Sequence, residues 1–163
     1  MIQRIQSLYL LLAAIFSAIL FLSPILETKT YKRVDGVNQE VNYTYDALGV
    51  TKINTTTDET EHESIYLIAI LAGLAALVAF TTIFFFKHRA IQFRMTYGVV
   101  FLLVIGMVVT VVVIGDHDGF KRAFDKSFKF TLLSGLLGIV SAAMAANKIK
   151  KDSELVESSD RIR

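Results

Sequence analysis

The residues best suited to chemistry form two short clusters of carboxylates and histidines. Imidazole nitrogens and carboxylate oxygens bind zinc and other divalent ions, so the clusters could form a metal site if the fold brings them together. The alternative is a pair of solvated acidic helix ends, with Glu61 and Glu63 favourably placed near a helix N-terminus. Because ligand spacing across loops is unconstrained, we assign no metal ligand and no cofactor. The clusters consist of Asp58, Glu59, Glu61, His62 and Glu63, and of Asp116, His117 and Asp118.

Four apolar stretches must position these clusters. They cover about residues 6–26, 65–86, 95–115 and 129–147, and 53% of the chain is hydrophobic. Each is close to the ~20 residues with which a helix crosses about 30 Å of hydrocarbon. Backbone N–H and C=O groups must be bonded within the segment in lipid, so we predict transmembrane helices. The sequence thus predicts an all-α membrane protein with a four-transmembrane-helix bundle over residues 1–151 and a cytoplasmic helical tail over 152–163.

The largest polar segment, residues 27–64, follows the first apolar stretch. Within it, Thr28–Val34 and Val37–Tyr45 are rich in Thr, Val and Tyr, and they flank Asp35-Gly36. Asp-Gly tolerates a type I′ turn, so we predict a small β-hairpin in an extracytoplasmic loop. The acidic remainder, Asn54–Glu63, is predicted to be a mobile linker. In the later polar connection, Asp116–Lys129, phenylalanines recur every fourth residue, which predicts an amphipathic helix in the membrane interface.

Small residues recur at helical spacing in the second and fourth apolar stretches. Such positions let helix backbones approach closely, which supplies much of the packing between helices in lipid. These faces are predicted to lie in the bundle interior or against a second copy of the chain. The residues concerned are Ala69, Gly73 and Ala76, and Ser134, Gly138, Ala142 and Ala146.

The apolar stretches contain no catalytic pattern. No charged residue or histidine lies within 8–26, 65–86, 95–115 or 130–146, which argues against a proton relay or a path for charged substrates. The chain has no cysteine, and no H-E-x-x-H, G-x-S-x-G or P-loop pattern. The formal net charge of +2 is too small to suggest a nucleic-acid partner. We therefore predict no catalytic residue and a protein that is not an enzyme.

Basic residues indicate the orientation in the membrane. With four spans, one side carries both termini and the corner between the second and third stretches, and there the cations are densely packed. Cytoplasmic loops are enriched in Lys and Arg, so we predict that this side is cytoplasmic and serves for topology or docking. The cations on it are Arg4, Lys87, Arg89, Arg94, Lys148, Lys150, Lys151, Arg161 and Arg163.

Three stretches carry a family resemblance. They are the opening Met1–Ile15, the corner Phe86–Met95, and the closing Ala146–Asp152 with Ser159–Arg163. Together they resemble a family of small four-span membrane proteins of unknown function from Bacteroidota, the domain of unknown function 4293 family. The resemblance covers the whole chain and implies a multi-pass inner-membrane protein with both termini in the cytoplasm. It brings no catalytic or binding residues.

Two functions are compatible with the sequence. The first is a non-enzymatic structural or accessory subunit, which lies in the lipid bilayer and docks a membrane or cytoplasmic protein, or a second copy, at its cytoplasmic face. The basic residues and the tail motivate this prediction, although the tail also fits a solvated helical extension. The alternative is a binding or transport module for a neutral or lipidic ligand, which four uncharged helices could enclose.

Overall fold

The computed structural model describes residues 2–34, 37–55, 57 and 59–160. Within these residues the chain forms five α-helices and five β-strands. The helices are α1 (Ile2–Leu22), α2 (Leu67–Phe84), α3 (Arg89–Asp116), α4 (Asp118–Lys121) and α5 (Phe130–Asp160), and a 3-10 turn at Phe85–Lys87 joins α2 to α3. The strands are β1 (Leu26–Val34), β2 (Val37–Tyr45), β3 (Gly49–Asn54), β4 (Thr60–Ser64) and β5 (Asp125–Phe128).

The strands form one antiparallel sheet in the order β4-β3-β2-β1-β5. β1 and β2 pair over their full length, from Leu26 opposite Tyr45 to Val34 opposite Val37. The predicted pairing of these two strands is thus confirmed, while the Asp35-Gly36 turn lies outside the described residues. β5 reaches the sheet from far along the chain and pairs with the other edge of β1, with Leu26 opposite Phe128.

The sheet is joined closely to one end of the helices. The N–H of Ala69, in the first turn of α2, donates to the carbonyl of Ala47 at 3.1 Å, and the N–H of Ile65 donates to the carbonyl of Leu48 at 2.8 Å. Side chains from both parts share one apolar cluster at this junction. Its buried members are Ile25, Leu26, Tyr45, Ala47, Val50, Ile68, Ala69 and Ile114. The sheet is therefore part of the same packed unit as the helices that it covers.

The four long helices pack in a ring, in which α1 contacts α2 and α5, and α3 also contacts α2 and α5. Many of their buried side chains are small, with Ala13, Ala75 and Ala142 fully enclosed in a second apolar cluster. Large apolar side chains instead lie on the outside, among them Leu77, Phe101, Val111 and Val140. All four helices are long and apolar enough to cross a membrane. This distribution is consistent with a membrane protein, since a helix surface in lipid has no reason to be polar.

The predicted all-α class is wrong, because the five-stranded sheet makes this an α+β fold. Two local predictions fail with it. The supposed mobile linker Asn54–Glu63 contains most of β4, which pairs with β3 through Ile53 and Lys52. The supposed amphipathic helix over Asp116–Lys129 is helical only at its start, because β5 pairs with β1 instead. Pairing with a distant strand overrides a local helical pattern.

Candidate functional site

The structure brings together only part of the acidic and histidine clusters. Glu63 at the end of β4 approaches His117 after α3, with 3.6 Å between Glu63 Oε2 and His117 Nε2. The other members turn to separate partners: Glu61 pairs with Lys52, and Asp116 pairs with Lys121. Among the described residues, no group of three or more His, Asp or Glu is placed to hold a metal ion. Asp58 lies outside those residues.

His117 is the centre of a hydrogen-bonded cluster between the sheet and α3. Its Nδ1 atom accepts the backbone N–H of Gly119 at 3.1 Å, and it lies 3.0 Å from the hydroxyl of Tyr45. A backbone N–H can only donate, so Nδ1 carries a lone pair, and the Gly119 N–H and the Tyr45 hydroxyl share it as donors. In the neutral ring the proton then lies on Nε2, directed towards Glu63. The cluster therefore connects β2, β4 and the turn that follows α3.

Burial keeps Tyr45 in its protonated form. The side chain is almost fully enclosed, and this desolvation raises the pKa of Tyr45 to about 12, although a hydrogen bond with Thr28 acts in the opposite direction. A phenol is protonated at neutral pH in any case, and the raised pKa extends the role of Tyr45 as a donor to His117 into the alkaline range. The rings of Tyr43 and Tyr45 also meet the imidazole edge-on, at centroid distances of 5.5 and 5.4 Å. This arrangement therefore holds the sheet against the end of α3, and the hydroxyl of Tyr45 is already used as a donor to His117.

The opposite end of the helices, which we term the basic end, holds most of the cations singled out from the sequence. Arg89 of α3 contacts Asp152 of α5 twice, through the carboxylate at 3.3 Å and through the backbone carbonyl at 3.2 Å. Gln6 of α1 donates to the carbonyl of Lys148 at 3.2 Å. The basic corner, the start of the chain and the beginning of the tail are therefore fixed to one another.

The structure describes the side chains of about half of the remaining cations of this set. Exposed side chains are found at Arg94, Lys148, Lys150 and Lys151. Lys150 lies 3.9 Å from Glu154, one turn further along α5. The side chains of Arg4, Lys87, Arg161 and Arg163 lie outside what the structure describes.

The small-residue stripe of α5 lies inside the chain. Ser134, Gly138, Ala142 and Ala146 are all buried. A Cβ built on Gly138 would be 3.5 Å from both Leu103 and Phe16, so the helices meet there in ordinary van der Waals contact. On α2 the buried small residues are Ala69, Ala72, Ala75 and Ala79, whereas Gly73 and Ala76 are only half-buried. The packing face of α2 is thus rotated from the one that the sequence suggested.

Comparison with known families decides the classification of the chain. The model of the family described as Domain of unknown function (DUF4293) matches residues 2–162. The chain belongs to the DUF4293 family. A comparison with curated proteins gives no match.

An apolar groove of about 240 Å³ lies where the sheet of this DUF4293 protein meets the helices. It opens between α3 and α5, and the aromatic rings of Phe120 and Phe128 form part of its wall. The ammonium group of Lys126 lies 3.9 Å from the centre of the Phe120 ring. The remaining lining is Ile25, Leu26, Thr110, Val111, Ile114, Gly115 and Leu132.

Sequence reasoning on the DUF4293 chain found two members of the histidine cluster and missed the third. His117 and Glu63 stood out as possible ligands, whereas Tyr45 was counted only as a residue typical of strands. The available signal was the strand period of two, which places Tyr43 and Tyr45 on one face of β2. That period does not show which element covers the face.

Proposed function

We propose that the chain is a multi-pass protein of the bacterial inner membrane that acts as a non-enzymatic accessory subunit and docks a partner protein at its cytoplasmic face. Support for the membrane location comes from the helices, which enclose many small side chains and turn most of their large apolar ones outward. In a water-soluble protein this distribution would leave a continuous apolar surface far larger than the few hundred Å² that monomers tolerate.

The basic end is proposed to lie in the cytoplasm and the sheet on the other side. Arg94 and Asp116 bracket a stretch of α3 that is about 33 Å long at ~1.5 Å per residue, which is close to the thickness of the hydrocarbon. The sheet and the basic end then lie on opposite membrane faces. The density of cations at the basic end favours the cytoplasm for that face.

Single cysteines test this orientation, because the natural chain contains none. Ser153→Cys places an exposed thiol at the basic end, and Thr57→Cys places one on the sheet side. In cells whose outer membrane is permeabilised, a membrane-impermeant maleimide should label Thr57→Cys alone, and detergent lysis should expose Ser153→Cys. Labelling of Ser153→Cys before lysis would reverse the orientation.

The observation that carries the docking proposal is the length of α5. This helix continues without a break to Asp160, about ten residues past Lys150, where we place the membrane boundary. It leaves Leu155 and Val156 60% and 42% exposed. A solvated terminal helix of about three turns is marginal by itself, so a partner that covers these side chains would stabilise it. The Arg89–Asp152 contact fixes the direction in which the helix leaves the membrane.

Leu155→Glu tests the docking proposal, because a charge at this exposed position leaves the helix free to form. Crosslinking in native membranes, followed by quantitative mass spectrometry, should show the partner of the wild-type chain reduced at least tenfold. Ile53→Glu is the matched control, since it introduces the same charge at an exposed apolar residue of β3 on the sheet side. Equal recovery of the same proteins with Leu155→Glu and with the wild type would refute docking on the tail.

A second candidate function is a binding module for a lipidic ligand, favoured by the apolar groove between α3 and α5. Its lining carries almost no polar group, so an acyl chain or a neutral hydrophobic molecule is the chemistry that it suits. Gly115→Phe would fill this groove, because a Cβ there meets nothing within 4 Å. A lipid that co-purifies with the wild type and with Gly115→Phe in equal amount would exclude the groove as its site.

A further inference from the structure

A second groove, of about 300 Å³, lies at the basic end between the start of α3 and the extension of α5. From α3 it is lined by Arg89, Ala90, Phe93 and Arg94, and from α5 by Lys150, Ser153 and Glu154. Three cations therefore face one concave surface, with a single carboxylate beside them. An aromatic ring and a methyl group form its apolar part.

The cations of this groove differ in how strongly they are paired with carboxylates of the chain. Arg89 is held by Asp152, which fixes its guanidinium in place. Lys150 has a long contact of 3.9 Å with Glu154, which solvent weakens because both side chains are exposed. Arg94 is exposed, and it forms no ion pair with any side chain whose placement the structure describes. Among the side chains that the structure describes, the groove thus keeps an excess of positive charge.

The position of the groove selects the kind of anion. The apolar part of α3 starts directly after Arg94, and the apolar part of α5 ends shortly before Lys150. The cations therefore lie where the helices leave the hydrocarbon, at the depth of lipid headgroups. Basic pockets between membrane helices at this level are suited to phosphorylated headgroups.

We propose that this groove binds the phosphate of an anionic glycerophospholipid from the surrounding leaflet. The guanidinium of Arg94 can donate two parallel hydrogen bonds to phosphate oxygens, and Lys150 contributes a mobile point charge. The hydroxyl of Ser153 is a further donor at the rim. Phe93 and Ala90 form the apolar wall beside the cations, against which the glycerol part of the headgroup region would pack. The inference rests on the proposed membrane location of the helices, and it does not depend on a docked partner.

The test measures binding of dioleoylphosphatidylglycerol and dioleoylphosphatidylcholine to the full-length protein in detergent, by native mass spectrometry over a lipid titration. We expect the wild type to prefer phosphatidylglycerol. A cation near a membrane surface contributes about fivefold in affinity for anionic lipid. The double variant Arg94→Gln/Lys150→Gln should therefore bind phosphatidylglycerol roughly 25-fold more weakly and lose the preference over phosphatidylcholine.

Two further variants separate the groove from general charge. Lys121→Gln/Arg122→Gln removes two exposed cations at the sheet end and should keep the wild-type preference. Ala90→Trp retains every charge and fills the groove from an exposed position, and it should lose the preference. Thermal unfolding of each variant confirms that it is folded, and Ala90→Trp serves as an independent test if the double variant is not.

Three results would overturn the assignment. The first is a wild type with no preference between the two lipids, and the second is an equal loss in the sheet-end control. The third is displacement of phosphatidylglycerol by soluble glycerol phosphate at similar concentration, which would assign the groove to a soluble phosphate compound. None of these results bears on partner docking, because detergent-solubilised protein is measured without a partner. Failure of the Leu155→Glu test would likewise leave the lipid measurement intact.

Discussion

Gly49→Ala is expected to lower the free energy of unfolding of the sheet by about 3 kcal/mol or more. A Cβ at this position would lie 2.1 Å from the carbonyl oxygen of Glu63 and 3.0 Å from its carbonyl carbon. Both are backbone atoms of the paired strand β4, so no side chain can move aside. The backbone φ of Gly49 is +159°, at the limit of what an L-residue adopts, which makes local relaxation harder.

The turn before Gly49 explains why the chain comes so close at this point. The carboxylate of Asp46 accepts the N–H groups of Leu48 and Gly49, each at 2.8 Å, and the Asp46 N–H donates to the Gly49 carbonyl at 3.0 Å. This tight turn starts β3 directly opposite Ser64. Displacing Gly49 would therefore separate β3 from β4 and open the junction with α2.

Hydrogen exchange followed by mass spectrometry in detergent measures this effect region by region. Protection of residues 41–64 should fall by about 100-fold or more in Gly49→Ala, since ~1.4 kcal/mol corresponds to a factor of ten. Gly98→Ala is the matched control, because a Cβ there meets nothing within 4 Å and alanine favours the helix. If Gly49→Ala retains wild-type protection in β3 and β4, the close approach described here is wrong.

The sequence allowed the helices and the central hairpin to be anticipated, for a physical reason. A membrane-crossing helix must satisfy its own backbone and be apolar throughout, so its signal is contained in a single continuous stretch. The signal for the hairpin is local too, since β1 and β2 follow one another in the chain and only Asp35-Gly36 separates them. Helix ends are less well marked, because α3 and α5 continue past the apolar part at Arg89–Arg94 and Lys148–Asp160.

The outer strands were missed because their information lies elsewhere in the chain. β4 reads Thr-Glu-His-Glu-Ser and is exposed at every position, so it shows no apolar alternation. β5 is four residues long and is defined by its pairing with β1 rather than by its own composition. An edge strand of this kind gains its stability from backbone hydrogen bonds to a strand already in place, which single-sequence patterns do not show.

The same limit applies to the candidate sites. The groove at the basic end joins residues about sixty positions apart on α3 and α5, and the sequence marked them only as cations on one side of a membrane. For α2, the small side chains form two adjacent rows: Ala69, Ala72, Ala75 and Ala79, which are buried, and Gly73 and Ala76, which are half-buried. Composition does not choose between rows separated by only part of a turn. Packing against α1 and α3 makes that choice in the structure.

Ala142→Leu is expected to have the second largest effect, a loss of about 1–3 kcal/mol in the free energy of unfolding. Ala142 is fully enclosed and shares a cluster with Ala13 of α1 and Ala75 of α2, so there is no space for three further carbons. Lipid offers no hydrophobic penalty for separating apolar helices, which means that close van der Waals contact is the main interaction that the substitution removes.

The neighbouring Ala143 is only half-buried, and Ala143→Leu adds the same atoms towards the outside of the helices. In thermal unfolding of detergent-solubilised protein, Ala142→Leu should melt about 3–10 °C below the wild type, and Ala143→Leu within a degree or two of it. Equal melting temperatures for the two variants would mean that α1, α2 and α5 do not meet through their small residues.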